Sequence, residues 1–66
     1  MSGIDRFLIS PDLLIRDAME FINRNTQGIA LVVDNERCLI GTVTDGDIRR
    51  AILSGADLTL PVTALL

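Results

Sequence analysis

The spacing of apolar residues changes several times along the chain, and each change marks an element. Phe7-Leu8-Ile9 is a short continuous apolar run after a polar lead from Met1 to Arg6, and Ser10-Pro11 ends it. It predicts a strand of three or four residues. Ile15, Ala18, Met19 and Ile22 then follow at i, i+3, i+4 and i+7, the spacing that places side chains on one face of a helix. Leu14 and Phe21 widen that face, and Arg16, Asp17, Glu20, Asn23 and Arg24 form the wet one. Glu20 stands four residues before Arg24, the favourable order for a helical ion pair. Asn25-Thr26-Gln27-Gly28 is rich in helix breakers, so the helix ends near Asn25.

Ile29 to Val33 is an unbroken, largely β-branched run bounded by Gly28 and Asp34. Its length and composition predict a strand buried on both faces. Asp34-Asn35-Glu36-Arg37 reads as a polar turn, and Cys38 to Val43 is strand-like again, so the two runs form a β-hairpin. Ile48, Ala51 and Ile52 return to helical spacing with Leu53 beside them, and Gly55 is placed to stop a helix running from Asp45 to Ser54. The order is β-α-β-β-α. It predicts an α+β fold with a small three-stranded mixed sheet and two helices on one face. The right-handed crossover rule makes the first strand parallel to Ile29 to Val33, and the hairpin adds Cys38 to Val43 antiparallel. In the tail from Ala56 to Leu66, Pro61 followed by Val62, Leu65 and Leu66 has helix-start chemistry. A single turn there is expected to find nothing of its own chain to pack on.

Composition sharpens this picture. The 66 residues are 48% apolar with two Phe and neither Trp nor Tyr, so the core is aliphatic. That length allows one small domain and no multi-site enzyme. So much aliphatic surface on so short a chain predicts that part of it faces a partner. The six basic residues are all Arg, nine acids bring the net charge to −3, and a general nucleic-acid binder would show the opposite balance. The absence of His removes the usual proton shuttle near neutral pH. A single cysteine, Cys38, excludes an intrachain disulfide and a thiolate zinc site, and reads as a small buried side chain on a strand. No apolar run reaches the roughly 18 residues of a membrane span, and no signal peptide precedes the first strand. A cytoplasmic setting and a non-catalytic role are the expectation.

The segment with chemistry is Gly41-Thr42-Val43-Thr44-Asp45-Gly46-Asp47-Ile48-Arg49-Arg50, which runs from a strand into a helix. One reading is structural: Thr44 as N-cap with Asp47 three residues on is a capping box with Asp in place of Glu. The other reading uses the same atoms to hold a ligand. A helix start offers unpaired N–H groups and a positive dipole end to a phosphate. The Asp47 carboxylate accepts only, which suits vicinal sugar hydroxyls. Arg49 and Arg50 present planar forks to phosphate, and the strand of Ile29 to Val33 offers an apolar wall to a base. Spacing alone leaves both readings open. Asp45-x-Asp47 after a strand is also the start of a metal-dependent phosphotransfer loop, but that chemistry needs a much larger sheet. A calcium loop lacks its further oxygen ligands, and there is no Walker P-loop or GxGxxG.

From Phe7 to Leu66 the chain resembles a CBS motif. The resemblance rests on Ser10-Pro11-Asp12, on Asp17-Ala18, on Ile29-Ala30-Leu31-Val32-Val33 closed by Asp34, and above all on Gly41 to Asp47. That last stretch is similar to the family's ribose-phosphate pattern of Gly, hydrophobic, any, Thr or Ser, two of any kind, Asp. Thr42 departs mildly from the hydrophobic slot. Leu14 stands where relatives often carry a Thr or Ser cap, which puts the capping of the first helix in question. The resemblance implies one motif over residues 1–60, with 61–66 the lead-in to a second. CBS motifs work in pairs, sheet against sheet, so the partner would be a second motif or a second copy of this chain, with the tail able to cross to it. Clefts between paired motifs take AMP, ADP or ATP as regulatory ligands, and no cofactor is required. By resemblance Thr44 would meet phosphate or ribose, Asp47 the ribose hydroxyls, Ile29 and Ala30 the adenine, and Arg49 or Arg50 the phosphate. Thr44 to Arg50 is also similar to CBS motifs attached to sugar-phosphate enzymes. Met1 just ahead of the first strand favours the nucleotidyltransferases, with N-terminal CBS pairs, over the isomerases, with C-terminal ones. The alternative from another class is a module that only dimerises and binds nothing.

Overall fold

Helix α1 (Ile15–Asn25) and helix α2 (Asp45–Leu53) cover one face of a sheet built from β1 (Leu8–Ile9), β2 (Ile29–Val33) and β3 (Leu39–Thr44), in the order β1-β2-β3. The computed structural model describes residues 3–66, so Met1 and Ser2 of the polar lead lie outside the described residues. β1 pairs with β2 in parallel, Leu8 with Leu31 and Ile9 with Val32. β2 pairs with β3 antiparallel, from Ile29 opposite Thr44 to Val33 opposite Leu39, with a register shift at Val32 and Val33. This is the predicted α+β architecture.

The core lies between sheet and helices. Ile9, Ala30, Val32 and Val43 point from the sheet toward Ala18 and Ile22 of α1 and Ile48 of α2, and all are buried. Each fully buried Val contributes roughly 1.5–3 kcal/mol of apolar transfer. Burial along β2 alternates: Ala30 and Val32 are buried, while Ile29, Leu31 and Val33 are only half-buried. The expectation of a strand covered on both faces is therefore corrected. Helices lie on one side only, and the second face of the sheet presents Leu31 and Val33 with Leu39, which is 62% exposed.

Three boundaries move. Phe7 belongs to a 3-10 helix over Gly3–Phe7, so β1 is shorter than the apolar run that announces it. Cys38 is exposed and lies before β3, not buried on a strand. The Asp34 side chain explains it. One carboxylate oxygen accepts from the N–H groups of Glu36 (2.8 Å) and Cys38 (2.9 Å), winding residues 34–38 into a closed turn. The third change is the tail. Val62–Leu65 is a 3-10 helix, and Val62 is fully buried in the core of its own chain. The tail main chain runs beside the start of α1, and Val62 N–H donates to Leu13 O at 2.7 Å. The expectation that this turn has nothing of its own to pack on, or crosses to a partner, is corrected.

α2 ends as expected. Gly55 takes φ +79°, and the N–H groups of Gly55 and Ala56 donate back to Ile52 O and Ala51 O, the Schellman arrangement that closes a helix. α1 ends at Asn25, a buried polar side chain with both ends satisfied. Its amide nitrogen donates to Ile29 O at 2.9 Å, and its oxygen accepts from Gln27 N–H at 2.9 Å. Asn25 thereby ties the end of α1 to the start of β2.

Candidate functional site

The junction of β3 and α2 gathers most of the polar chemistry singled out in the sequence. Thr44 is the last residue of β3 and the N-cap of α2. Its hydroxyl accepts from Asp47 N–H at 3.1 Å, and its own N–H donates to Asp47 Oδ2 at 2.9 Å, so the capping box is complete. Asp45 N–H donates to Gly28 O at 2.9 Å, which anchors the helix start to the turn before β2. Among the described residues the Gly46 N–H has no hydrogen-bond partner. One donor of the first turn is thus left to solvent, at the positive end of the helix dipole.

Asp47 is held as a carboxylate. The Thr44 N–H is the main cause that lowers its pKa below the ordinary 3.8, and the Thr44 hydroxyl and the Arg50 guanidinium add to it against partial desolvation. Arg50 donates from Nη2 to Asp47 Oδ1, so both carboxylate oxygens are engaged. The guanidinium folds back over Gly46. A Cβ at Gly46 would lie 3.4 Å from Arg50 Nη1 and 3.7 Å from Thr44 Oγ1. Both are ordinary contact distances, so the space here would admit a Cβ.

The other candidates separate. Ile29 lies opposite Thr44 in the β2–β3 pairing and is half-buried, so it stands on the same sheet face as Thr44 and supplies an apolar surface beside it. Ala30 is fully buried in the core, on the helix side of the sheet, leaving only its main chain to face a ligand near Thr44. Arg49 is not beside Asp47. It donates to Asp45 at 3.3 Å and lines a groove of about 510 Å³ between α1 and α2. That groove has Met19, Ile52 and Leu53 with Glu20 on its walls and includes none of Thr44, Asp47 or Arg50. Arg16 and Asn23 line it together with Arg49, so it is a second polar groove, separate from the capping box at the start of α2. Sequence reasoning gave no role to the carbonyl of Gly28 or to the side chain of Asn25. A breaker cluster between helix and strand was the available signal, but it shows where a chain turns and not what the turn holds.

Comparison with known proteins bears on the family and the fold. The model of the CBS domain family matches residues 4–54. Arabinose 5-phosphate isomerase KdsD of Yersinia pestis is 40% identical over 57 residues, covering 86% of this chain and 17% of that protein. Arabinose 5-phosphate isomerase GutQ of Escherichia coli O6:H1 is 42% identical over 48 residues, covering 73% of this chain and 15% of that protein. The chain thus spans about a sixth of the length of these curated relatives. Among solved structures, a CBS domain protein from Pyrobaculum aerophilum complexed with AMP superposes with a TM-score of 0.83 at 18% identity, over 98% of this chain and 55% of that one. A CBS-domain containing protein from Agrobacterium tumefaciens gives a TM-score of 0.82 at 22% identity, over 88% of this chain and 45% of that one. With the family pattern matched over most of its length, and the fold that pattern requires in place, the chain belongs to the CBS domain family.

Proposed function

We propose that this CBS domain is a regulatory module that binds an adenine nucleotide at the start of α2 and pairs with a second CBS motif through the open face of its sheet. The observation that carries the reading is the clustering within one helical turn of the Thr44 hydroxyl, the unpartnered Gly46 N–H, the Asp47 carboxylate and the Arg50 guanidinium, beside apolar Ile29. Phosphate takes the Gly46 N–H, the Thr44 hydroxyl and Arg50. The ribose hydroxyls donate to Asp47. The base lies along Ile29 and the main chain at Ala30. Arg49 reaches the phosphate only by leaving Asp45. A relative of the same fold complexed with AMP supports the choice of ligand.

The partner is a second motif of a longer chain or a second copy of this one. Leu39 and Ile40 are 62% and 48% exposed at the edge of the uncovered sheet face, and the structures of the same fold are about twice as long as this chain. The parent is a sugar-phosphate enzyme. The relatives named above are isomerases, which favours an isomerase over the nucleotidyltransferase that the resemblance implied. No described helix is long and apolar enough to cross a membrane. A reducing, cytoplasmic setting suits the free, exposed thiol of Cys38.

Calorimetric titration with AMP, ADP and ATP tests the reading. Binding by the native chain, lost in Asp47→Ala with pairing by light scattering unchanged, is the expected result. Absence of heat with all three nucleotides favours the second reading, a module that only pairs, for which the exposed apolar sheet face is the supporting observation.

A further inference from the structure

The open face of the sheet is aliphatic except along the middle of β3. Pairing in register places Leu8, Leu31 and Thr42 in one row across the three strands. The rows on either side set Ile29 beside Thr44 and Val33 beside Leu39. Two hydroxyls therefore interrupt the face, and they differ. The Thr44 hydroxyl accepts from Asp47 N–H and is committed to the cap of α2. Thr42 is exposed, and its hydroxyl stands open to water. The pleat sends its neighbour Val43 into the core and fixes Thr42 on the open side.

We propose that Thr42 determines which partner this face accepts: it disfavours a second copy of this chain and so selects a CBS motif of different sequence, one that sets a hydrogen-bonding side chain against it. This rests on the reading that the open face pairs with a CBS motif. Covering the face strips water from the Thr42 hydroxyl, and a buried hydroxyl left without a partner costs affinity. Two identical copies meet about a twofold axis, so each Thr42 is covered by side chains of this same face. Leu8, Ile29, Leu31, Val33 and Leu39 offer it neither donor nor acceptor, and the Thr44 hydroxyl is held by the cap. A self-pair thus buries two hydroxyls without partners, one from each copy. A motif of different sequence is free to present a partner at that row. The solved structures of this fold are about twice the length of this chain, which is room for such a motif. The penalty falls on partner choice and not on folding, because Thr42 is exposed in the single motif and threonine suits a strand.

The test is sedimentation equilibrium of the native chain, Thr42→Val and Thr42→Ser. Valine keeps the β-branched shape and removes the hydroxyl. Thr42→Val is expected to self-associate at least about tenfold more tightly than the native chain. Thr42→Ser keeps the hydroxyl and is expected to show no gain. Leu39→Asp lies on the same face at a position 62% exposed, and adding it to Thr42→Val is expected to abolish the gain. Thr42→Val that associates no more tightly than the native chain overturns the proposal, as does a gain shared by Thr42→Ser. So does a looser Thr42→Val, the result if the two Thr42 hydroxyls meet each other on the axis. In each of these cases, native self-association that is weakened by Leu39→Asp leaves the reading of the sheet face standing. A gain that persists with Leu39→Asp places the pairing elsewhere and overturns both.

Discussion

Helix α1 begins under main chain from the far end of the sequence, whereas α2 begins more openly, closed by its own side chains and a single carbonyl from Gly28. Leu14, the N-cap of α1, makes no side-chain cap. In its place Ile15 N–H donates to Leu60 O at 2.9 Å and Arg16 N–H to Leu58 O at 3.0 Å, while Asp17 and Ala18 N–H both reach Leu14 O. Every donor of that first turn is taken by a carbonyl, and the buried Val62 holds the accepting segment in place. At α2 the Thr44–Asp47 box closes the helix within four residues and leaves the Gly46 N–H without a protein partner. A helix start sealed by backbone is structure and nothing more. One capped by polar side chains, with a donor to spare, can be shared with a ligand. This contrast favours Thr44 to Arg50 over the otherwise comparable start of α1 as the proposed site.

The largest expected effect comes from removing the seal. A chain ending at Ala56 loses Val62 from the core and the carbonyls of Leu58 and Leu60 from the start of α1. The loss is at least about 3 kcal/mol from burial and hydrogen bonding together, a large share of the stability of so small a domain. Thermal melting checks it, and hydrogen exchange should show the Ile15 and Arg16 amides losing protection first. A shortened chain that melts within a few degrees of the full one would show that the tail is ornamental to α1.

Breaking the other cap has a smaller effect. Thr44→Ala removes the side-chain acceptor for Asp47 N–H, and the expected loss is about 1 kcal/mol. In a domain this size that lowers the melting temperature by roughly 4–8 °C, and Thr44→Ser should recover most of it. Equal stability of Thr44→Ala and the native chain would contradict the cap.

Acid separates the two helix starts next. Carbonyl caps do not titrate, but Asp47 does. Its pKa is lowered on folding, chiefly by the Thr44 N–H, so its contribution is complete above the ordinary carboxylate value of 3.8 and is lost as pH falls through the lower, folded value. Urea melts across the acid range should show native stability declining there and a shallower decline in Asp47→Asn. The exposed Asp57, whose pKa is also lowered, mainly by the Thr59 hydroxyl, leaves a residual slope in both. Identical slopes would mean that Asp47 does not couple to folding.

The smallest effect is the most diagnostic of the seal. Leu14→Thr supplies the side-chain cap that α1 lacks. Because the N–H groups it would serve are already paired, the full chain should gain less than about 0.5 kcal/mol, against about 1 kcal/mol for a cap that is needed. A gain of the full amount in chemical denaturation would show the carbonyl seal to be weak.

The sequence carried most of this contrast at α2 and almost none at α1. Thr44 and Asp47 are legible because a capping box is written in side chains at a fixed spacing. The helices and the hairpin are legible because their apolar residues keep one period. The seal on α1 is invisible because Leu58 and Leu60 act through carbonyls, which every residue has. Leu14 showed only that a side-chain cap was missing, with no indication of what replaced it. The separation of Arg49 from Arg50 was hidden by their adjacency. A rotation of about 100° per residue sends one to the groove with Asp45 and the other back to Asp47. Ala30 and Ile29 likewise read as one apolar wall until pleating sent them to opposite faces of β2.

Amide chemical shifts during titration with AMP test the account most directly, because one experiment reads both helix starts. The expected result is saturable shifts at Thr44, Gly46 and Asp47, largest at the unpartnered Gly46 N–H, with Ile15 and Arg16 unmoved beneath their carbonyl seal. Shifts centred on Ile15 and Arg16, or saturable binding that leaves Gly46 unmoved, would contradict it.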